Sequence, residues 1–393
     1  MSVSDFDHLS PELARDLHGS LARMRAECPV AHSEKHGGFW LVSTYEDVLR
    51  VAQDWETFSN EHGITVPTAP TSMPALPEQL DPPVHREFKR LINAHFTPAK
   101  VLEHEDAVRA LVTELIDGFV ERGECEFMAE FAQLLPGRTF FEMFLHAPPD
   151  ELAEVNRLAT LASTPTTKEA IDARIEMLQW IGAFAERRRN EPPRGDVVDA
   201  LLAATIEGRP ITELEVVGVL QLLLFGGLDT TAGALGMMML RFCRDPEVAQ
   251  LLRSRPELVP DAVEELLRLD GPFVFIRRTA MRDTEIGGCP ISEGDAVLIS
   301  WVSANRDEDE FPHPDEFDLG RESNRHIAFG AGPHRCAGSN LARMNLRIAV
   351  HELLQRLDDL RLAEGTDPQP FHPGYSRAPE QVPIEFTPRA RTA

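Results

Sequence analysis

Ten residues near the C-terminus restrict this chain more than any other stretch. Phe329 to Gly338 reads Phe-Gly-Ala-Gly-Pro-His-Arg-Cys-Ala-Gly. Three glycines and a proline predict a tight, irregular backbone, because glycine takes dihedrals and close approaches that other residues cannot. Leu341, Met344 and Ile348 then recur at three- and four-residue spacing, which predicts a helix. Cys336 therefore stands just before a helix N-terminus, where the dipole and free backbone N–H groups stabilise a thiolate. Such a loop suits a metal ligand better than a packed core thiol. A lone cysteine is ordinarily a small buried apolar side chain. That reading is kept for Cys28, Cys125, Cys243 and Cys289, which have no comparable surroundings.

The chain has 393 residues, enough for two average domains or one large one around a bulky cofactor. Its formal charge of −25 argues against nucleic acid or an anionic membrane surface as the main partner. Five cysteines without regular spacing give no disulfide framework and suit a reducing cytosol. The start lacks a basic region followed by an apolar one, so neither signal peptide nor N-terminal anchor is expected.

The Phe329–Gly338 pattern resembles the heme-binding loop of the cytochrome P450 family, Phe-Gly-x-Gly-x-His-x-Cys-x-Gly, at every fixed position. The resemblance extends over nearly the whole chain. It implies a mainly α fold with a small β region, a long central helix over the heme, and one domain spanning 1–393. It also implies heme b as cofactor with Cys336 as axial ligand of the iron, whose thiolate favours O–O cleavage. A soluble, cytoplasmic bacterial member is expected.

The second anchor runs from Ile211 to Cys243. Thr212 and Glu215 form a capping-box pattern, and Asp245-Pro246 ends the helix. Its middle, Leu222 to Gly233, is apolar enough to raise a membrane reading, but Asp229 and Gln221 stand against it. Asp229, Thr230 and Thr231 inside a buried helix are costly unless paired or used, and Gly226-Gly227 costs roughly 1 kcal/mol per glycine. The group resembles the family's oxygen-activation motif. By that resemblance the helix bends, Asp229 is the proton-relay acid, Thr230 supports proton delivery to bound O2, and Thr231 is structural. A threonine bonded back to its own helix would explain one of these residues, not the set.

Asp81-Pro82-Pro83-Val84-His85 predicts a helix start, with His85 and Lys89 four apart on one face. The segment resembles the family's propionate-binding helix, with Lys89 in place of an arginine and without its bidentate fork. Arg278 and His334 match further propionate donors. Glu265 and Arg268, three apart on a helix, look by themselves like a surface pair. With Arg321 they resemble the family's structural lock behind the heme loop.

Among relatives the chain looks nearest to camphor hydroxylases, but Met73 and Ile276 occupy positions where those carry a tyrosine and an aspartate. Met73, Leu222, Phe225, Gly226, Phe273, Val274 and Phe275 are the candidate substrate contacts, each equally readable as core. All are apolar, so a small or medium terpenoid or aromatic substrate is expected. No Gly-x-Gly-x-x-Gly or iron–sulfur cysteine pattern occurs, so electrons from NAD(P)H must arrive through separate proteins, a reductase and a ferredoxin. Arg86, Lys89, Arg335 and Arg343 would form the docking patch. The rival readings are a peroxide-driven peroxygenase and a heme-binding sensor or carrier without turnover.

Overall fold

The computed structural model describes residues 6–68, 73–163, 167–371 and 376–391. Helices carry most of the ordered chain and the strands are short, in agreement with a mainly α fold with a small β region. The chain forms two compact units. One gathers Met1–Phe88, Glu264–Cys336 and Phe371–Arg377; the other gathers Lys89–Val263, Ala337–Pro370 and Ala378–Ala393.

The first unit is built on a five-stranded sheet. Its spatial order is Val30–Ser33, Phe39–Val42, Ala296–Ser300, Phe275–Ala280, Phe58–Ser59. Neighbours run antiparallel except Phe39–Val42 beside Ala296–Ser300, where Leu298 pairs with Leu41 in parallel. Side chains alternate along each strand, so the sheet has two apolar faces. Val42, Ile276, Ala280, Val297 and Ile299 pack with Val48, Val51 and Ala52 of the Tyr45–Gln53 helix, and with Ile327 and Ala331. On the other face Leu41, Phe275 and Leu298 pack with Phe6, Leu13 and Leu17. The strand Phe39–Val42 and then the helix Tyr45–Gln53 follow Gly38.

The second unit is helical, with a three-stranded sheet of Asp358–Leu362, Pro383–Thr387 and Glu124–Glu126. Its longest element is the Glu213–Arg244 helix of 32 residues, opened by the Thr212–Glu215 capping box. Gly236 lets it pack closely: a Cβ there would lie 2.5 Å from Met128 Sδ and 2.8 Å from Pro379 Cγ. By length and apolarity it is the one described helix that could cross a membrane, but 56% of its most apolar window is buried in the folded chain. A second long helix is Lys168–Arg189. Residues 164–166 just before it lie outside the described residues, as do 69–72.

Candidate active site

The Phe329–Gly338 loop takes the irregular backbone its glycines predict. Gly330 and Gly332 have φ of +73° and +68°. Gly332 is also held by space: a Cβ would sit 2.3 Å from the Ala52 carbonyl oxygen. The loop thus lies on the end of the Tyr45–Gln53 helix at a distance only glycine permits. The Cys336 N–H donates to the Phe329 carbonyl at 2.8 Å. The helix Ser339–Arg356 begins three residues after Cys336, with Leu341, Met344 and Ile348 buried. Of the five cysteines Cys336 alone is exposed. Burial pushes the Cys125 thiol up and Cys243 up to about 12, so these two remain inert core thiols.

Three nitrogen side chains of the first unit meet near this loop. The His85 and His334 rings stand 4.3 Å apart, both buried. Both His334 ring nitrogens are buried without a hydrogen-bond partner among the described residues. The nearest carboxylate oxygens, of Glu78 and Asp81, stand 3.7 and 4.0 Å away. Arg278 is 2% exposed, and its described hydrogen bond is Nη1 to the Arg277 carbonyl at 3.0 Å. Burial lowers its pKa to about 10, partly offset by Glu78 and Asp81. A buried guanidinium and a buried imidazole with open donors are costly by themselves. Their needs are those that two carboxylates satisfy, and the exposed thiol beside them suits an iron. This donor set fits heme b. Glu78 and Asp81 temper the charge here; Glu78 was not picked out in the sequence and Asp81 only as part of a helix start, because nothing local ties them to a strand some 200 positions on. Lys89 lies one turn beyond His85 on the helix Val84–His95 and is half-buried.

Behind the loop, Glu265 and Arg268 are not a surface pair. Their side chains are 1% and 0% exposed and meet in a bidentate pair with both N···O distances 2.8 Å. Glu265 also accepts from Arg321 Nε, the Asp318 N–H and Asn324 Nδ2 at 3.3, 3.1 and 3.2 Å. Arg268 Nη1 donates to the carbonyls of Asn305 and Pro314 at 2.9 and 2.7 Å. Asn305 Oδ1 in turn accepts from the Ile327 N–H at 2.8 Å, two residues before the cysteine loop. Asn324 as a fastener was not recognised from sequence.

On the second unit's long helix, Leu222, Phe225, Gly226, Asp229 and Thr230 follow one another at three- and four-residue spacing. They form a partly open stripe on a helix whose Leu224, Leu228 and Thr231 are buried. A Cβ at Gly226 would meet nothing within 4 Å, whereas one at Gly227 would lie 3.5 Å from the Phe140 ring. Thr230 Oγ1 donates to the Gly226 carbonyl at 2.9 Å. Helical structure runs unbroken through the glycine pair, and this back-bond adds a side-chain donor to the carbonyl of its first glycine. The donated proton leaves the hydroxyl lone pairs as acceptors on the open side.

No described hydrogen bond or ion pair engages the Asp229 carboxylate, and burial raises its pKa from 3.8 to about 6. A carboxyl that binds its proton more tightly when folded stabilises the fold at low pH and loses that contribution as pH rises through about 6. At pH 8 the ionised group costs about 3 kcal/mol relative to a solvated one. Asp229→Asn is therefore expected to raise the melting temperature at pH 8 and to do so much less at pH 5, while slowing turnover. Thermal denaturation at the two pH values checks it; equal shifts would mean the carboxylate is well solvated.

Two expected substrate contacts are corrected. Val274 and Phe275 have no exposed surface and pack in the core with Phe6, Phe39 and Leu298. Phe275 opens the strand opposite Ser300 and Val274 directly precedes it, and both are enclosed. Phe273 and Met73 are partly open.

A family model described as "Cytochrome P450" matches residues 141–386. Over 386 residues the chain is 34% identical to the probable cytochrome P450 127A1 of Sinorhizobium fredii, covering 92% of each chain. It is 36% identical to the nocardicin C N-oxygenase of Nocardia uniformis, covering 95% of this chain and 96% of the relative. It is 32% identical to the steroid C26-monooxygenase of Mycobacterium tuberculosis, covering 95% of each. Among solved structures, a cytochrome P450 from Chondromyces apiculatus superposes with a TM-score of 0.88 at 31% identity, covering 99% of this chain and 100% of its own.

Proposed function

This chain belongs to the cytochrome P450 family, a heme b monooxygenase with an organic substrate, O2 and a redox partner, and from that premise we propose roles for its residues. When bound, heme supplies activation of O2 and insertion of one oxygen atom into a substrate bond. Cys336 would ligate the iron; His85, Arg278, His334 and Lys89 would hold the propionates. Both units would act as one catalytic domain, since the chain passes between them five times. Asp229 would hold and release a proton at its carboxyl, and Thr230 Oγ1 would accept a hydrogen bond that positions the water carrying it.

The substrate is an apolar molecule of small to medium size, a terpenoid or an aromatic, held mostly by shape. The observation that supports this is the partly open apolar stripe Leu222, Phe225, Gly226 on the long helix; Met73 and Phe273 of the first unit are apolar and partly open as well. The curated relatives named above act on a steroid and on nocardicin C, so membership in the family leaves substrate choice to such lining residues. Electrons would come from NAD(P)H through a ferredoxin reductase and an acidic ferredoxin docking on Arg86, Lys89, Arg335 and Arg343. The protein would act in the cytoplasm.

Thr230→Ala tests the assignment against the peroxygenase and sensor readings. With a substrate that shifts the heme spin state, product per O2 consumed should fall about tenfold or more and hydrogen peroxide should appear instead. Thr230→Ser should retain most of the coupling. Unchanged coupling in the alanine variant would remove Thr230 from proton delivery.

A further inference from the structure

Asp7 and His8 are neighbours in sequence and His36 follows 28 positions later, yet the three present one ligand atom each within 4.8 Å of one another. His8 is 2% exposed. Its Nε2 stands 2.6 Å from the Val66 carbonyl oxygen. A carbonyl only accepts, so Nε2 carries the proton and Nδ1 carries a lone pair. That Nδ1 is buried and has no hydrogen-bond partner among the described residues.

An imidazole that donates one N–H to a backbone carbonyl and points a lone pair from the other nitrogen is the arrangement of a metal-ligating histidine. His36 faces it, with ring centroids 5.3 Å apart and Nε2 2.8 Å from Asp7 Oδ1. His36 sits in a tight turn at φ +54°, and that backbone brings its ring over Asp7. The side chains of His36 and Asp7 keep 24% and 27% of their surface open, which leaves an entry path and room for a water ligand.

We propose that Asp7, His8 and His36 bind one divalent transition-metal ion of zinc-like ligand preference, fastening the N-terminal segment to the turn after the first strand. Two imidazoles and a carboxylate with an open position suit zinc, nickel or copper rather than magnesium or calcium. Ligands of one tetrahedral zinc lie about 3.4 Å apart, so a small rotation of the His36 ring completes the site. It involves none of the residues assigned to heme, O2 or substrate.

The test uses the purified, heme-loaded protein stripped of metal by a chelator. Isothermal titration with zinc chloride should show one equivalent bound, and His36→Gln and Asp7→Asn should each weaken it by about tenfold or more. Heme content should be unchanged in both. Crystals soaked in zinc should give an anomalous peak at the zinc edge among these three side chains. Zinc binding that survives both substitutions, or a peak elsewhere, overturns the site; so does the absence of binding at millimolar zinc.

Discussion

Cys336→Ser should abolish substrate oxidation and move the Soret band of the reduced carbon monoxide complex to shorter wavelength. Serine nearly matches cysteine in shape. The backbone bond from residue 336 to the Phe329 carbonyl at 2.8 Å does not involve the side chain. The residue is exposed, so the loop keeps its form. What changes is the ligand: a soft, readily ionised thiolate becomes a hydroxyl that stays protonated at neutral pH. The expected loss of turnover is at least 10³-fold, about 4 kcal/mol of barrier. Heme content measured alongside separates lost ligation from lost cofactor. Cys243→Ser is the control, since burial keeps that thiol protonated, and it should leave the spectrum unchanged. A Cys336→Ser protein with wild-type turnover and an unshifted band would remove the thiolate, and with it the oxygen chemistry assigned above.

Much of this site was legible because its constraints are local. The glycines at 330 and 332 and the cysteine before a helix form one contiguous pattern, and the structure puts positive φ at both glycines. The long helix was legible from its capping box and apolar run. What sequence could not supply were facts fixed by distant partners. Helical spacing puts Glu265 and Arg268 on one face without saying whether that face meets water. Asp318, Arg321 and Asn324, more than fifty positions later, bury it. Likewise Phe273, Val274 and Phe275 look alike as apolar residues. Only the surrounding packing separates them: Val274 and Phe275 are enclosed with Phe6 and Leu298, whereas Phe273 stays partly open. Asp7 and His36 stand 29 positions apart and meet through a turn with positive φ at a histidine, a conformation that propensity does not anticipate.

The second large effect lies away from the chemistry. Glu265→Gln should destabilise the fold by about 3–5 kcal/mol, the usual consequence of removing one partner from a buried ion pair. The five donors converging on this carboxylate come from Arg268 Nε and Nη2, Arg321 Nε, Asn324 Nδ2 and the Asp318 N–H. Glutamine keeps the volume, but it offers one oxygen and turns an NH2 group toward donors that need acceptors. Arg268 then remains a buried charge whose other bonds go to neutral carbonyls of Asn305, Pro314 and Glu316. Against a total stability of about 5–15 kcal/mol, that loss would leave much of the protein unable to retain heme. The readouts are the urea midpoint and the heme content of purified protein. Replacing both residues by apolar ones of similar size, Glu265→Leu with Arg268→Met, should cost less than the single change, because no charge is stranded. If Glu265→Gln lay within about 1 kcal/mol of wild type, or if the double variant were simply the sum of its parts, the network would not be what holds the Asn305–Ile327 segment behind the cysteine loop.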